Sequence, residues 1–518
     1  MSMRSGGQLV VDTLQARGIR VLFGIPGVHT LDIYDALLDQ TEIRHILNRH
    51  EQGCGFMADG YARSSGKPGV CTVITGPGLT NLATALGQAY SDSSPVVVIS
   101  SEIDSNLLGK GRGVLHEMKD QAAFMEQLTR YSAHASSPAQ IPSLLMEALD
   151  HHRKEHPGPV HLQIPLDVLA QTCPQPLLDT PPPPRREPSE AQLEGALKLL
   201  EGAQSPLILS GAGAQDATGI TQLAEHLGAP VFTTALGRGI IPDDHPLALG
   251  NTMGQEEAQE LLGTCDVLLA LGTSLRGLAA QSAFGGQVIH VSLDSADLGR
   301  NYPPHLALQV DAKAFVDRLV STLEARGLWR ESPPSLPDLR SEVAPWSQGI
   351  LRAMRHALSR DGILAVDMTL VAYRASHGYP VYQPRTFLPP NGFGTLGFAP
   401  PAAMGAHLAC PNQRVMALCG DGGFMFTVEE LAVAVQEQLA VTIVLINSQS
   451  YEVVGRMHKR RFDRELPVGL ATPDFQKLAE AFNVMSLQAH DGEALAYALE
   501  ETAEHRGPVL IEVPYQEE

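Results

Sequence analysis

The chain has 518 residues, too many for one hydrophobic core, so two or three domains are expected. Its hydrophobic share of 44% and mean hydropathy of -0.03 describe an ordinary globular protein. A formal charge of -20 argues against nucleic acid or an anionic membrane surface as a main partner, because either would select a basic patch.

In chain order, "MSMRSGGQLVVDTLQARG" opens an amphipathic helix and lacks the apolar centre of a secretory leader, and no apolar run reaches membrane-spanning length. The expected location is cytoplasmic. "GIPGV" (24–28) and "ITGPGLTNLATAL" (74–86) are glycine turns after strand-like runs, placed to line one cleft. Between them, "NRHEQGCGFMADGYAR" (48–63) sets Glu51 at the start of a helix-like stretch. By itself such an acid equally complements the helix dipole or faces a neighbouring subunit. "VCTVITGPGLTNLATALGQAYSDSSPVVVIS" reads as strand, helix, strand, and "PLILSGAGAQDATGITQLAEHLGAPVFTT" repeats that alternation further on.

Two proline-rich stretches, "CPQPLLDTPPPPRREPSE" (173–190) and "ESPPSLPDLRSEVAP" (331–345), favour extended connections. They divide the chain into an N-terminal domain (1–172), a central domain (190–330) and a C-terminal domain (346–518). The expected architecture is α/β, three doubly wound parallel-sheet domains. Six scattered cysteines, without a CxxC pair, suggest neither a zinc site nor a disulfide framework.

In the last segment "RVMAL" (414–418) and "VTIVLI" (441–446) are apolar strands around a helix-like stretch, so Asp421 and Asn447 fall at the carboxyl edge of one sheet. Gly420 and Gly422 allow close backbone approach, Asp421 is a hard oxygen donor, and a helix follows. The combination suits a Mg²⁺-bound diphosphate; an Asp cap on a plain strand-to-helix turn is the alternative.

With "IPG", "HEQGCGFMADGYAR", "TGPGLTNL", "NGFGTLGFAPPAAMGA" (391–406), "ALCGDGGF" and the strand-ending "IN" in this order, the chain resembles the thiamine diphosphate-dependent enzymes of the acetolactate synthase, pyruvate oxidase and 2-oxo acid decarboxylase type. The resemblance implies thiamine diphosphate and Mg²⁺ as cofactors, the N-terminal domain taking the pyrimidine and the C-terminal domain the diphosphate and metal. It implies that Glu51 bonds N1′ of the aminopyrimidine, that the Gly394 carbonyl receives the 4′-amino group, and that Leu396 wedges under the two rings. Gly420, Asp421, Gly422, Gly423 and Asn447 are the implied diphosphate-side residues. Asp421, a residue ending the next strand (Asn447 or Ser448) and the Ser450 carbonyl are the implied metal ligands. Ser448 stands where the family normally has a second Asn. Because the family builds each site across two subunits, a homodimer is the minimum assembly implied and a homotetramer is common among its relatives.

Three departures bear on the reaction. "LLALGTSLRGLAAQ" (268–281) puts Leu278 where flavin-containing acetolactate synthases hold a substrate-binding arginine, so FAD is not expected. "GRGVLHEMKDQ" (111–121) puts His116 and Glu117 where those enzymes have Phe-Gln facing the reacting carbon. Both are candidate catalytic residues for proton delivery or for a polar substrate tail, although solvated loop residues would read the same. This stretch resembles the branch that includes 5-guanidino-2-oxopentanoate decarboxylase, and Glu117 is placed to pair with a cationic tail. Val454 and Val28 replace acidic or hydroxyl residues of pyruvate and benzoylformate decarboxylases, leaving His116, Glu117, Glu452 or water to protonate an enamine. The expected function is decarboxylation of a 2-oxo acid through an enamine, with non-oxidative aldehyde release. The alternatives are a carboligase of the acetolactate synthase type working without FAD, and a catalytically silent regulatory homologue.

Overall fold

The structure, a computed structural model, describes residues 3–174, 180–276, 284–329, 336–337, 339 and 343–516. Leu278, and with it the substitution at the flavin enzymes' arginine position, lies outside the described residues. The chain forms two compact units: Met1–Pro183 with Ile363–Leu370 and Pro390–Glu517, and Pro184–Gly362 with Val371–Pro389.

The first unit holds two parallel sheets. One comprises β1 (Val21–Gly24), β2 (Arg44–Leu47), β3 (Gly69–Val73), β4 (Val96–Glu102), β5 (Tyr131–His134) and β6 (Val160–Pro165), in the order β2-β1-β3-β4-β6-β5. Residues of β1, β3, β4 and β6 are buried throughout, which is why these strands read as unbroken apolar runs rather than alternating ones. Helices α1 (Glu51–Ser65) and α2 (Pro77–Asp92) leave the carboxyl ends of β2 and β3. An antiparallel pair, Met3–Ser5 with Thr172–Pro174, lies apart from the parallel sheet.

In the second unit β7 (Pro206–Ser210), β8 (Val231–Thr233), β9 (Ala248–Gly250), β10 (Val267–Leu271), β11 (Gln287–Ser292) and β12 (Leu306–Gln309) form a parallel sheet in the order β9-β8-β7-β10-β11-β12. An apolar core that includes Leu223, Leu269, Ile289 and Phe315 packs on one face. Buried Arg238 pairs with Asp243 at 2.6 Å and donates to the carbonyls of Ala375 and Tyr379, fastening the Val371–Pro389 segment to this unit.

The other sheet of the first unit contains β13 (Ile363–Val366), β14 (Val415–Gly420), β15 (Val441–Asn447), β16 (Met485–Gln488) and β17 (Val509–Pro514), parallel and ordered β13-β14-β15-β17-β16. Helices α3 (Ala399–Ala409) and α4 (Glu452–Phe462) belong to this half. The two sheets of the unit are joined through α1 and α3, which cross at a distance only glycine permits. A Cβ on Gly60 would collide with the Ala402 carbonyl, and one on Gly405 would lie 2.7 Å from the Met57 carbonyl carbon. Among the described residues no helix is long and apolar enough to cross a membrane.

Candidate active site

Polar residues gather at the carboxyl ends of β1 to β4, where open α/β sheets offer a crevice. His50 caps α1, its Nδ1 accepting from the Gln52 amide at 3.1 Å, so half-buried Glu51 occupies the first helical turn. The free amides of that turn favour a carboxylate there. Glu51 Oε2 accepts from Asn81 Nδ2 on α2 at 2.9 Å, which fixes one oxygen.

The turn after β3 and the loop after β4 meet beside it. Gly76 has φ +68°, and a Cβ there would lie 2.6 Å from the His116 carbonyl oxygen. His116 itself has φ +65° and packs edge-on against His29 of the loop after β1, with ring centroids 4.9 Å apart and planes at 71°. Nδ1 of each imidazole is buried without a hydrogen-bond partner. Burial, and then the neighbouring His116, push the His29 ring below its ordinary value, while Asp104 pulls it up.

Glu117, expected to face a cationic tail, is engaged otherwise. Its carboxylate accepts from the backbone amides of Arg112 (3.2 Å), Gly113 (2.6 Å) and Val114 (3.2 Å), ordering the turn that presents His116. Glu452 is held by Arg456 Nε at 2.6 Å, and Arg456 also donates to the Tyr515 hydroxyl, so this acid is paired on its own helix. Val28 and Val454 are exposed.

A second cluster forms at the carboxyl ends of β14 and β15. Asp421 is only 2% exposed, and burial raises its carboxyl despite bonds from the backbone of Gly422 and from Ser448. The Ser448 hydroxyl lies 3.3 Å from Asp421 Oδ1 and 2.9 Å from the Ser450 carbonyl oxygen. Its single hydrogen cannot serve both acceptors fully, and Asp421 Oδ2 is buried with no partner at all. Gln449, at φ +52°, turns the chain so that the Ser450 carbonyl comes round to this spot, and Leu470 pins the turn by donating to the Gln449 carbonyl at 2.7 Å. Carboxylate, hydroxyl and carbonyl oxygens with one unpaired carboxylate oxygen are the donor set a Mg²⁺ ion takes.

Asn447 is not brought into this cluster. Its Nδ2 donates to Glu512 Oε1 at 2.7 Å, and its Oδ1 accepts from the Gln449 amide at 3.3 Å. Of the two strand-end residues, Ser448 faces Asp421. Gly422 cannot carry a side chain, since a Cβ would lie 2.6 Å from the Tyr451 ring; Gly423 packs against Asp367 and Gly420 near Thr369.

The stretch 391–397 is held at both ends. Asp92 accepts from the amides of Asn391 (2.9 Å) and Gly392 (2.6 Å), and Gln88 from the Thr395 amide (3.3 Å). Gly394 (φ +68°) and Gly397 (φ +80°) bend the backbone, leaving Gly394 and Leu396 half-buried. At the far end Asp367 accepts from the Gly397 amide at 2.9 Å and from its neighbour Met368 at 2.8 Å. Burial raises this carboxyl to about 6.

Sequence reasoning missed His29, Asn81, Gln88, Asp92 and Asp367. Asn81 and His29 stand in or beside motifs quoted for their glycines, and Asp367 follows an apolar strand just as Asp421 does. Nothing in the sequence marks Gln88 or Asp92, which lie on α2 among apolar residues.

Family models of thiamine pyrophosphate enzymes match three stretches of the chain: an N-terminal TPP binding domain at residues 4–124, a central domain at 193–319 and a C-terminal TPP binding domain at 367–513. A protein of Pseudomonas aeruginosa named a probable 2-ketoarginine decarboxylase is 39% identical, the match covering 98% of this chain and 94% of that one. The acetolactate synthase isozyme 1 large subunit of Escherichia coli is 31% identical over 98% of this chain and 93% of its own. A probable acetolactate synthase large subunit of Methanocaldococcus jannaschii is also 31% identical, over 98% and 91%.

Proposed function

Since the chain belongs to the thiamine pyrophosphate enzymes, we propose that it decarboxylates a 2-oxo acid and releases an aldehyde without oxidation, using thiamine diphosphate and Mg²⁺. Thiamine diphosphate, when bound, supplies a nucleophilic thiazolium carbon and the electron sink that lets the carboxylate depart as CO₂. Glu51, steadied by Asn81, holds and returns a proton at N1′ of the aminopyrimidine. Asp421, Ser448 and the Ser450 carbonyl would hold Mg²⁺, while Gly420, Gly422 and Gly423 keep the turn free of side chains. The Gly394 carbonyl and Leu396 would help hold the cofactor's aminopyrimidine.

The observation that carries aldehyde release is His116. A half-buried imidazole, presented by the Glu117-ordered turn and backed by His29, supplies a proton to the substrate carbon after CO₂ has left. Glu117 acts here as a positioning residue. The substrate tail is read as cationic, in line with the relative named for 2-ketoarginine, which is 5-guanidino-2-oxopentanoate.

The working assembly is at least a homodimer, and a homotetramer in the cytoplasm is the expected form. Support comes from exposed apolar side chains on the segments that carry the site: Val28, Leu115, Phe393, Phe426, Val454 and Met457. The similarity to acetolactate synthases favours a second reading, carboligation.

The test is CO₂ release with thiamine diphosphate and Mg²⁺ across 2-oxo acids of short, branched, aromatic, acidic and cationic tails, with product identification. An aldehyde formed best from the cationic tail supports the proposal. An acetohydroxy acid supports the second reading, and silence with cofactor bound supports a regulatory role.

A further inference from the structure

Glu430 ends the short turn Val428–Glu430 that follows the glycine-flanked acid, and it is fully buried. Its carboxylate is met by residues 48–50. Oε1 accepts from the backbone amides of His50 (2.9 Å) and Arg49 (3.1 Å), and Oε2 from Asn48 Nδ2 (3.3 Å). These are the three residues immediately before Glu51. Gly53, one turn into α1, makes the approach possible: a Cβ there would lie 2.5 Å from Glu430 Cδ. Burial raises the carboxyl to about 7, against the opposing effect of the bonds it accepts.

Two backbone amides alone would be satisfied by water or by a carbonyl, without taking a carboxylate out of solvent. Here a buried acid meets both, a side-chain amide meets its second oxygen, and a glycine leaves it room. We propose that Glu430 is a positioning residue for Glu51: by gripping the Arg49 and His50 amides it fixes the backbone from which Glu51 projects, so the part of the chain that carries Asp421 sets the aim of the activating acid. This rests on the reading of Glu51 as the N1′ partner. It adds a residue whose effect is felt only through another.

Two readouts test it. Amide hydrogen exchange at residues 48–52 of the cofactor-free protein needs no substrate, and exchange of the thiamine diphosphate C2 proton by the loaded protein reports what Glu51 does. Glu430→Gln keeps an oxygen for both amides and should leave both readouts within about threefold of the parent, as a retained acceptor predicts. Glu430→Ala should raise amide exchange at 49–50 and slow C2 exchange at least about tenfold with cofactor saturating, as expected for a displaced catalytic group. Gly53→Ala, which displaces the carboxylate without removing it, should do the same and decides the matter if the alanine variant at 430 does not fold. Unchanged amide protection and C2 exchange in Glu430→Ala or Gly53→Ala would overturn the proposal, as would a Gln variant as impaired as the Ala variant. A negative result in the 2-oxo acid panel would leave the amide readout untouched, so the two failures are distinguishable.

Discussion

Replacing Ser448 by alanine probes the proposed metal site most directly. Its hydroxyl lies 3.3 Å from Asp421 Oδ1 and 2.9 Å from the Ser450 carbonyl, so the change deletes one of three convergent oxygens. Losing a group that orients or supplements a metal ligand weakens metal binding about 10- to 100-fold. A neutral, short hydroxyl belongs at the lower end, so the half-saturating Mg²⁺ concentration should rise about tenfold, equivalent to about 1.4 kcal/mol. Ser448→Asn should move the titration the other way, because a carboxamide oxygen is a longer and better donor. Asn447→Ala removes the bond to Glu512 and should lower stability by about 1 kcal/mol while leaving the Mg²⁺ titration nearly unchanged. The assay is reconstitution of metal-stripped protein with Mg²⁺ at saturating thiamine diphosphate, followed by retained cofactor and by turnover. An unmoved midpoint in Ser448→Ala together with a raised one in Asn447→Ala would refute the reasoning and give the metal to Asn447.

Glu51→Gln should retain the cofactor yet lose at least about 100-fold in kcat, the scale of a missing proton-transfer group, as measured by steady-state rates beside a cofactor-binding titration. Asp367 titrates near 6 in the folded chain against 3.8 in the open one, so the native state binds the extra proton between those values. Stability from this group is therefore greatest in acid, declines by about 3 kcal/mol as pH rises from about 4 to 6, and stays at its minimum above. Denaturation midpoints of the parent and of Asp367→Asn should differ in slope across that window; parallel curves would count against a buried proton. Gly60→Ala forces a methyl into the Ala402 carbonyl at the helix crossing and should cost about 2 kcal/mol or more, read as a lower thermal midpoint for the first unit. A midpoint equal to the parent's would mean that the helices separate freely.

Much of the architecture was legible from local pattern. Parallel strands buried on both faces must be continuous apolar runs, so "VVVIS", "VMAL" and "VTIVLI" announced themselves, and glycines flanking an acid after such a run marked a turn open to close backbone approach. Asp421 could be named because it opens a helix at the end of a strand between glycines, a position defined by neighbours in sequence, whereas Glu51 was singled out only by the resemblance of the motif around it. What the tertiary structure decided depends on contacts between distant segments. Whether Asn447 or Ser448 faces Asp421 turns on Glu512, which captures the Asn447 amide from the adjacent strand. Glu117 looked like a partner for a cationic tail until the loop folded three amides onto it. Gln88, Asp92 and Glu430 carry no local signature, because a buried polar residue acquires its role only from the groups that desolvate it and the donors that meet it. Periodicity is a property of the chain, whereas satisfaction of buried charge is a property of the packed whole.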